Sequence, residues 1–197
     1  MATIPEALNL ALQYHQAGRF QEAEALYRQI LQAQPATMEA HYNLANLLYK
    51  EGKCEEAAAH YRKALELKPD CAEACLNLGN VLQTQGRLEE ALAQYRRALV
   101  LKPDNAEAYN NLAGALQRQD KLSEAEAAYR GVLALKPDYA EAHGNLGSVL
   151  MNQGRLEEAE VCYRRALTLK PDYAYAHSNL LFALNYHPDK SGEEIYA

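Results

Sequence analysis

Side chains capable of acid, base or ligand chemistry are few here, and most of them recur at a fixed interval. His41, His143 and His177, the pairs Glu55-Glu56, Glu89-Glu90 and Glu157-Glu158, and the thiols Cys71 and Cys75 are the groups that could act as bases, acids or metal ligands. Catalysis needs such groups to converge in a way that local pattern does not already explain. One residue type points to different chemistry: asparagine stands at 9, 43, 77, 111, 145 and 179, every 34 residues without exception. A carboxamide offers donors and an acceptor, and it can pair with a peptide group whatever side chain that peptide residue carries. In a helix it costs roughly half a kcal/mol against Ala, so its return calls for a reason. The chemistry implied is recognition rather than reaction.

Composition narrows the setting. About half of the 197 residues are hydrophobic, Trp is absent and Ala and Leu dominate, a helical composition. Lys and Arg number 20 against 26 Asp and Glu, a net charge of -6, and the cations come singly or in pairs. Without a basic excess, nucleic acid is not an expected partner. Of the four cysteines, at 54, 71, 75 and 162, only Cys71 and Cys75 share a helical face, and no His or second Cys pair completes four ligands, so neither a metal nor another cofactor is expected. No apolar run approaches the roughly 18 residues of a membrane span. The start, MATIPEALNL, carries no secretory signal, and the reading is a soluble, cytoplasmic chain.

The elements that position the asparagines follow from the same period. Pro35, Pro69, Pro103, Pro137 and Pro171 lie 34 residues apart, which divides the chain into units 4–37, 38–71, 72–105, 106–139 and 140–173. A partial sixth occupies 174–187, and 188–197 begins a further segment cut off at Ala197. In each unit, positions 4, 7, 8 and 11 form an i, i+3, i+4, i+7 stripe, as in His41, Leu44, Ala45 and Leu48, which predicts an amphipathic helix A. Gly18, Gly52, Gly86 and Gly154 stand where it should stop in a left-handed cap, with Asp120 as the one substitute. Helix B then carries Ala at position 20, Tyr at 24 and Leu at 28 on one face, as in Ala91, Tyr95 and Leu99. Asp70, Asp104 and Asp138 each precede Glu73, Glu107 and Glu141 by three residues, which predicts a capping box opening the next helix A.

A 34-residue helical hairpin with small residues at 8 and 20, an aromatic at 24 and Pro at 32 resembles the tetratricopeptide repeat over nearly the whole chain. It departs from that pattern at position 4, where His41, Cys75, Tyr109, His143 and His177 replace the usual Trp, and at position 11, where Leu mostly replaces Tyr. The resemblance implies an all-α, right-handed α-solenoid of stacked helix-turn-helix units that binds proteins or peptides. The histidines and carboxylate pairs are then packing and surface residues. With no phosphate-cradling loop, nucleophile elbow or HExxH, the chain itself is read as non-enzymatic.

At about 100° per residue the packing stripe of helix A centres near 20°, whereas positions 2, 5, 6, 9, 12 and 13 fall between about 120° and 240°. The asparagines therefore face away from the packed side, along the concave floor of a stacked array. With A helices about 10 Å apart and an extended peptide rising about 3.3 Å per residue, one carboxamide would meet every third residue. All six position-6 asparagines, from Asn9 to Asn179, would line that floor. Asn46 and Asn80, at position 9, join the variable residues that set preference. The competing reading is that each Asn bonds a neighbouring helix and recurs because units were copied from one another.

In the sixth unit Leu181 replaces the small residue, Pro188 replaces the turn glycine, and Ser191-Gly192-Glu193-Glu194 predicts a capping box opening another helix. The stretch SNLLFALNYHPDKSGEEIYA, with the LxPDxAEAxxNLG phrasing of the repeats, is similar to bacterial relatives of O-linked N-acetylglucosamine transferase. That resemblance implies a repeat region delivering protein substrates to a downstream glycosyltransferase that uses a UDP-sugar, with Asn43, Asn77, Asn111, Asn145 and Asn179 as the contacts to the substrate backbone. The alternative is a free-standing scaffold for a multiprotein complex. In either case the open end of the stack invites self-contact.

Overall fold

The computed structural model describes residues 3–185. These residues form eleven helices and no strand: α1 (Ile4–Gln16), α2 (Phe20–Ala33), α3 (Met38–Lys50), α4 (Cys54–Leu67), α5 (Ala72–Thr84), α6 (Leu88–Leu101), α7 (Ala106–Arg118), α8 (Leu122–Leu135), α9 (Ala140–Asn152), α10 (Leu156–Leu169) and α11 (Ala174–Asn185). Odd-numbered helices are the A helices and even-numbered ones the B helices of successive repeats. The described residues divide into two compact units, 3–103 with α1 to α6 and 104–185 with α7 to α11. Within each unit a helix A packs on its own helix B, and that helix B packs on the helix A that follows it. The segment after Asn185, including the capping box expected at Ser191, lies outside the described residues.

Local chemistry sets the ends of each helix. After α3, Gly52 adopts φ 78° and donates its N–H to the Tyr49 carbonyl at 3.0 Å, while the Lys53 N–H reaches back to the Leu48 carbonyl at 2.9 Å. This doubly bonded left-handed cap satisfies carbonyls that the helix end leaves open. Asp120 makes the same turn after α7 with φ 58° and its Lys121 N–H on the Leu116 carbonyl at 3.0 Å; Asp tolerates this region better than most side chains. The B helices stop for another reason. Lys68, just before Pro69, is extended at φ -137° and ψ 90°, as the proline ring demands of its predecessor.

The capping boxes expected at Asp70, Asp104 and Asp138 do not form. Pro-Asp occupies the turn, so the N-cap falls one residue later, at Cys71, Asn105 and Tyr139. Glu73, Glu107 and Glu141 then stand second in their helices, out of reach of the required third position. Of the three caps only Asn105 uses its side chain, accepting the Ala108 N–H at 3.1 Å. The acids bond elsewhere: Asp138 accepts from Arg165 at 2.7 Å and Glu141 from Lys170 at 2.9 Å. A capping box does form at Thr3, whose backbone N–H donates to Glu6 at 2.8 Å, opening α1.

Each hairpin closes on a tyrosine. Tyr27, Tyr61, Tyr95 and Tyr163 are fully buried between helices A and B. A Cβ added at Gly79 would lie 2.5 Å from Cε1 of Tyr95, and one at Gly147 would lie 2.7 Å from Cε1 of Tyr163. The ring of position 24 therefore rests on the small residue of position 8. Ala23, Ala57, Ala91, Ala125 and Ala159, all wholly buried, hold the second close approach.

Position 4 has its own duty. His41, His143 and His177 hydrogen-bond through Nε2 to the carbonyls of Pro35, Pro137 and Pro171 at 3.0, 2.9 and 2.8 Å, each tying a helix A to the turn before it. A carbonyl only accepts, so the ring nitrogen donates, as an indole N–H would. Where position 4 is Cys75, the Arg97 guanidinium serves the Pro69 carbonyl instead, at 2.6 Å.

His41, with Nε2 carrying its proton, has Nδ1 as an acceptor, and it receives the Nδ1–H of His60 at 2.8 Å. Burial holds His60 below its ordinary value, the charges of His41 and Arg28 adding to the effect and that of Glu56 opposing it.

Two outcomes follow. Ala91→Leu overpacks the hairpin and lowers stability by about 1–3 kcal/mol in denaturant unfolding. Because the folded His60 has the depressed value, the unfolded chain takes up its proton first as pH falls. Stability present above about pH 6.5 is then lost as pH drops through the folded value. Thermal unfolding should show a smaller loss between neutral and mildly acidic pH in His60→Gln, which keeps a donor for His41 and does not titrate.

Candidate functional site

The position-6 asparagines all lie on A helices, but they are not equivalent. Asn9 on α1 and Asn43 on α3 come together at one cleft of about 260 Å3, with Pro5, Leu8, Leu12 and Glu39 as its other walls. It opens on the face carrying positions 2, 5, 6 and 9 of the repeat. Neither carboxamide has a hydrogen-bond partner among the described residues. Asn77 on α5 is engaged: its Nδ2 donates to Asn46 Oδ1 at 3.0 Å and to the Tyr42 hydroxyl at 3.2 Å. In the second unit, Asn111, Asn145 and Asn179 are half-buried on α7, α9 and α11.

Position 9 also differs from expectation, because the buried tyrosine of helix B reaches it from below. The Tyr61 hydroxyl donates to Asn46 Oδ1, and that of Tyr95 lies 2.9 Å from Asn80 Oδ1 and 3.0 Å from Gln83 Oε1. Tyr163 meets Ser148 Oγ at 3.1 Å. In the fourth repeat, where position 9 is Gly114, the Tyr129 hydroxyl turns to Gln117 at 3.4 Å. Burial pushes the Tyr129 and Tyr163 hydroxyls up to about 12, so they remain neutral donors. Asn46 and Asn80 therefore satisfy core hydroxyls as well as facing the surface. The constant spacing of 15 residues from position 9 to the tyrosine could have revealed this from sequence alone.

The first repeat breaks the rule. Its position 9 is Leu12, and the Tyr27 hydroxyl has no partner; His15 Nδ1, at position 12, is likewise buried and unpartnered. The two rings stand edge to face with centroids 6.4 Å apart. The same exchange gives the cleft above an apolar wall, since Pro5 stands where the next four repeats place Glu and Leu12 where the next two place Asn, with Leu8 beside them. Sequence reading passed over these three and Glu39, although a run of apolar residues at positions 2, 5 and 9 is visible in the first unit.

Two further clefts lie between successive B helices. One of about 340 Å3 includes Arg62, Leu65 and Gln94, and one of about 520 Å3 includes Arg130, Val161, Cys162 and Arg165. The cations of the second are engaged, Arg130 with Glu126 at 2.9 Å and Arg165 with Asp138 at 2.7 Å. Its thiol, Cys162, is pushed up to about 11 by burial, the state of an unreactive cysteine. Among the described residues no three His, Cys, Asp or Glu side chains gather as a metal site, and no helix is long and apolar enough to cross a membrane. What the A-helix face can do is hydrogen-bond, through unpaired carboxamides set among apolar side chains.

Comparison with known proteins agrees with the hairpin geometry. Family models of the tetratricopeptide repeat match residues 8–72, 42–106 and 76–139, and a second such model matches 140–173. Among solved structures, YrrB, described as a tetratricopeptide-repeat protein with an unusual peptide-binding site, is similar with a TM-score of 0.82 and 24% identity over 88% of this chain and 89% of its own. A MamA structure has a TM-score of 0.80 at 24% identity over 83% of this chain and 96% of its own. MamA from Desulfovibrio magneticus RS-1 gives 0.80 at 20% identity, over 87% and 97%. No curated relative matches. With helical hairpins repeating every 34 residues and family models spanning 8–173, the chain belongs to the tetratricopeptide-repeat family, a fold of protein-interaction modules.

Proposed function

We propose that this module binds an extended peptide or protein segment along its A-helix faces, in the service of assembling or delivering protein partners. The observation that carries the reading is the pair Asn9 and Asn43, two unpaired carboxamides walling one cleft with Pro5, Leu8 and Leu12. A peptide backbone supplies the donors and acceptors that such amides lack. Apolar walls contribute burial for whatever side chain enters. Asn77 holds the equivalent position on α5 of the first unit, and Asn111, Asn145 and Asn179 hold it on the A helices of the second. The description of YrrB as having a peptide-binding site makes this use of the fold a natural one.

The setting of that binding has two readings. A free-standing scaffold is supported by the structural neighbours, which match this chain over most of their own length. Delivery of substrates to a protein O-glycosyltransferase is supported by the similarity of residues 178–197 to the segment that joins repeats to the catalytic region in that family. The comparisons add nothing to the second reading, and most of the segment lies outside the described residues. Sequencing the gene past Ala197 for a UDP-sugar-binding region separates the two.

Binding is tested by capture of short random peptides on immobilised protein. Asn9→Ala with Asn43→Ala should keep unfolding stability within about 0.5 kcal/mol and lower peptide capture about tenfold. Unchanged capture by this stable variant would remove these amides from binding. Asn46→Ala should instead cost about 1–3 kcal/mol by orphaning the Tyr61 hydroxyl.

A further inference from the structure

The cleft between α1 and α3 has a carboxylate as well as amides, and this sets the kind of side chain it accepts. We infer that it is a subsite for an arginine side chain of the bound peptide, an assignment that rests on the peptide-binding reading above. Of its six walls, Pro5, Leu8 and Leu12 are apolar, Asn9 and Asn43 are amides, and Glu39 alone is charged. At about 260 Å3 it falls below the roughly 300–1,000 Å3 of small-molecule sites, a size suited to one long side chain.

Position 2 of the repeat carries Glu in four units, and its surroundings differ among them. Glu73 pairs with Lys102 at 3.6 Å and Glu141 with Lys170 at 2.9 Å, in each case a lysine from the end of the same repeat. Lys68 is the counterpart for Glu39, yet Glu39 has no ion-pair partner among the described residues. It is an exposed carboxylate at the wall of an apolar cleft, in a chain that already carries a net charge of -6. Charge complementarity selects a cation.

The remaining walls choose among cations. A long aliphatic stem with a charged head matches a cleft apolar along one side and polar along the other. The planar guanidinium has five donors, enough to bind a carboxylate through two oxygens and still reach amide carbonyls. Glu39, Asn9 and Asn43 supply a carboxylate and two amide oxygens as acceptors of that kind. Lysine, a compact and strongly hydrated charge with three donors, fits it less well. Leu12 matters twice: it replaces the polar residue found at this position in the next two repeats, and it supplies the surface for the stem.

The test uses the same capture of random peptides, N-acetylated so that no terminal ammonium competes, with bound sequences read for each variant. Wild-type protein should enrich Arg at one register, Lys less, and replacing that Arg by citrulline should weaken binding about tenfold. Glu39→Gln should abolish the difference between Arg and citrulline, and Glu39→Arg should turn the preference toward Asp and Glu. Since Glu39 is exposed, both variants should unfold at the wild-type temperature, which a thermal melt checks. Capture that depends on Asn9 and Asn43 but shows no Arg preference, or a preference untouched in Glu39→Gln, overturns the subsite and leaves peptide binding standing. Absence of any captured peptide overturns both.

Discussion

A buried phenol is the interaction on which the rest of this structure depends. Each helical hairpin closes by laying the position-24 tyrosine across a small residue of helix A, and burying that ring supplies much of what holds the two helices together. The ring brings a hydroxyl that cannot be left unpaired without cost. In the second, third and fifth repeats it passes between the helices to a side chain at position 9 on the opposite face. The core thus claims residues that would otherwise serve only the surface, and it ties the chemistry of the A-helix face to the stability of the hairpin.

Where that claim lapses, the surface changes character. In the first repeat position 9 is Leu12; the hydroxyl of Tyr27 is unpartnered, and the face above it gains an apolar wall beside its amides. One substitution therefore has a cost inside and a consequence outside. The asparagine ladder divides in a similar way. Asn77 is drawn into a network with Asn46 and Tyr42, while Asn9 and Asn43 remain available beside Glu39. A repeat that looks uniform in sequence thereby presents different chemistry from one unit to the next.

Much of the fold was legible because its causes are local. Pro69 halts a helix through the residue before it, Gly52 and Asp120 take the left-handed turn, and the spacing of Ala91, Tyr95 and Leu99 marks one helical face; none of these needs a distant neighbour. Cap assignment was less legible, since Asp-x-x-Glu has the right spacing at Asp70 and Glu73 but begins one residue too early for the helix that follows. The exchange of Cys75 for a histidine in the third repeat, with Arg97 supplying the missing N–H to Pro69, was also beyond local reading, as its partners lie 28 residues apart.

By itself, then, the sequence determined the period, the two helices of each unit and which residues point away from the packed stripe, because backbone geometry and a fixed repeat make those matters of counting. Only the tertiary structure decided which of the outward amides bond neighbouring side chains and which have no such partner. Asn9, Asn43 and Asn77 are the same residue at the same position, and no sequence rule distinguishes them. For Asn43 and Asn77 the difference arises from what the preceding A helix supplies, apolar Leu8 and Leu12 of α1 at the cleft of Asn43 and polar Tyr42 and Asn46 of α3 against Asn77. Hydrogen bonding is a property of pairs brought within about 3 Å, and that proximity is made by packing between repeats, not by position within one.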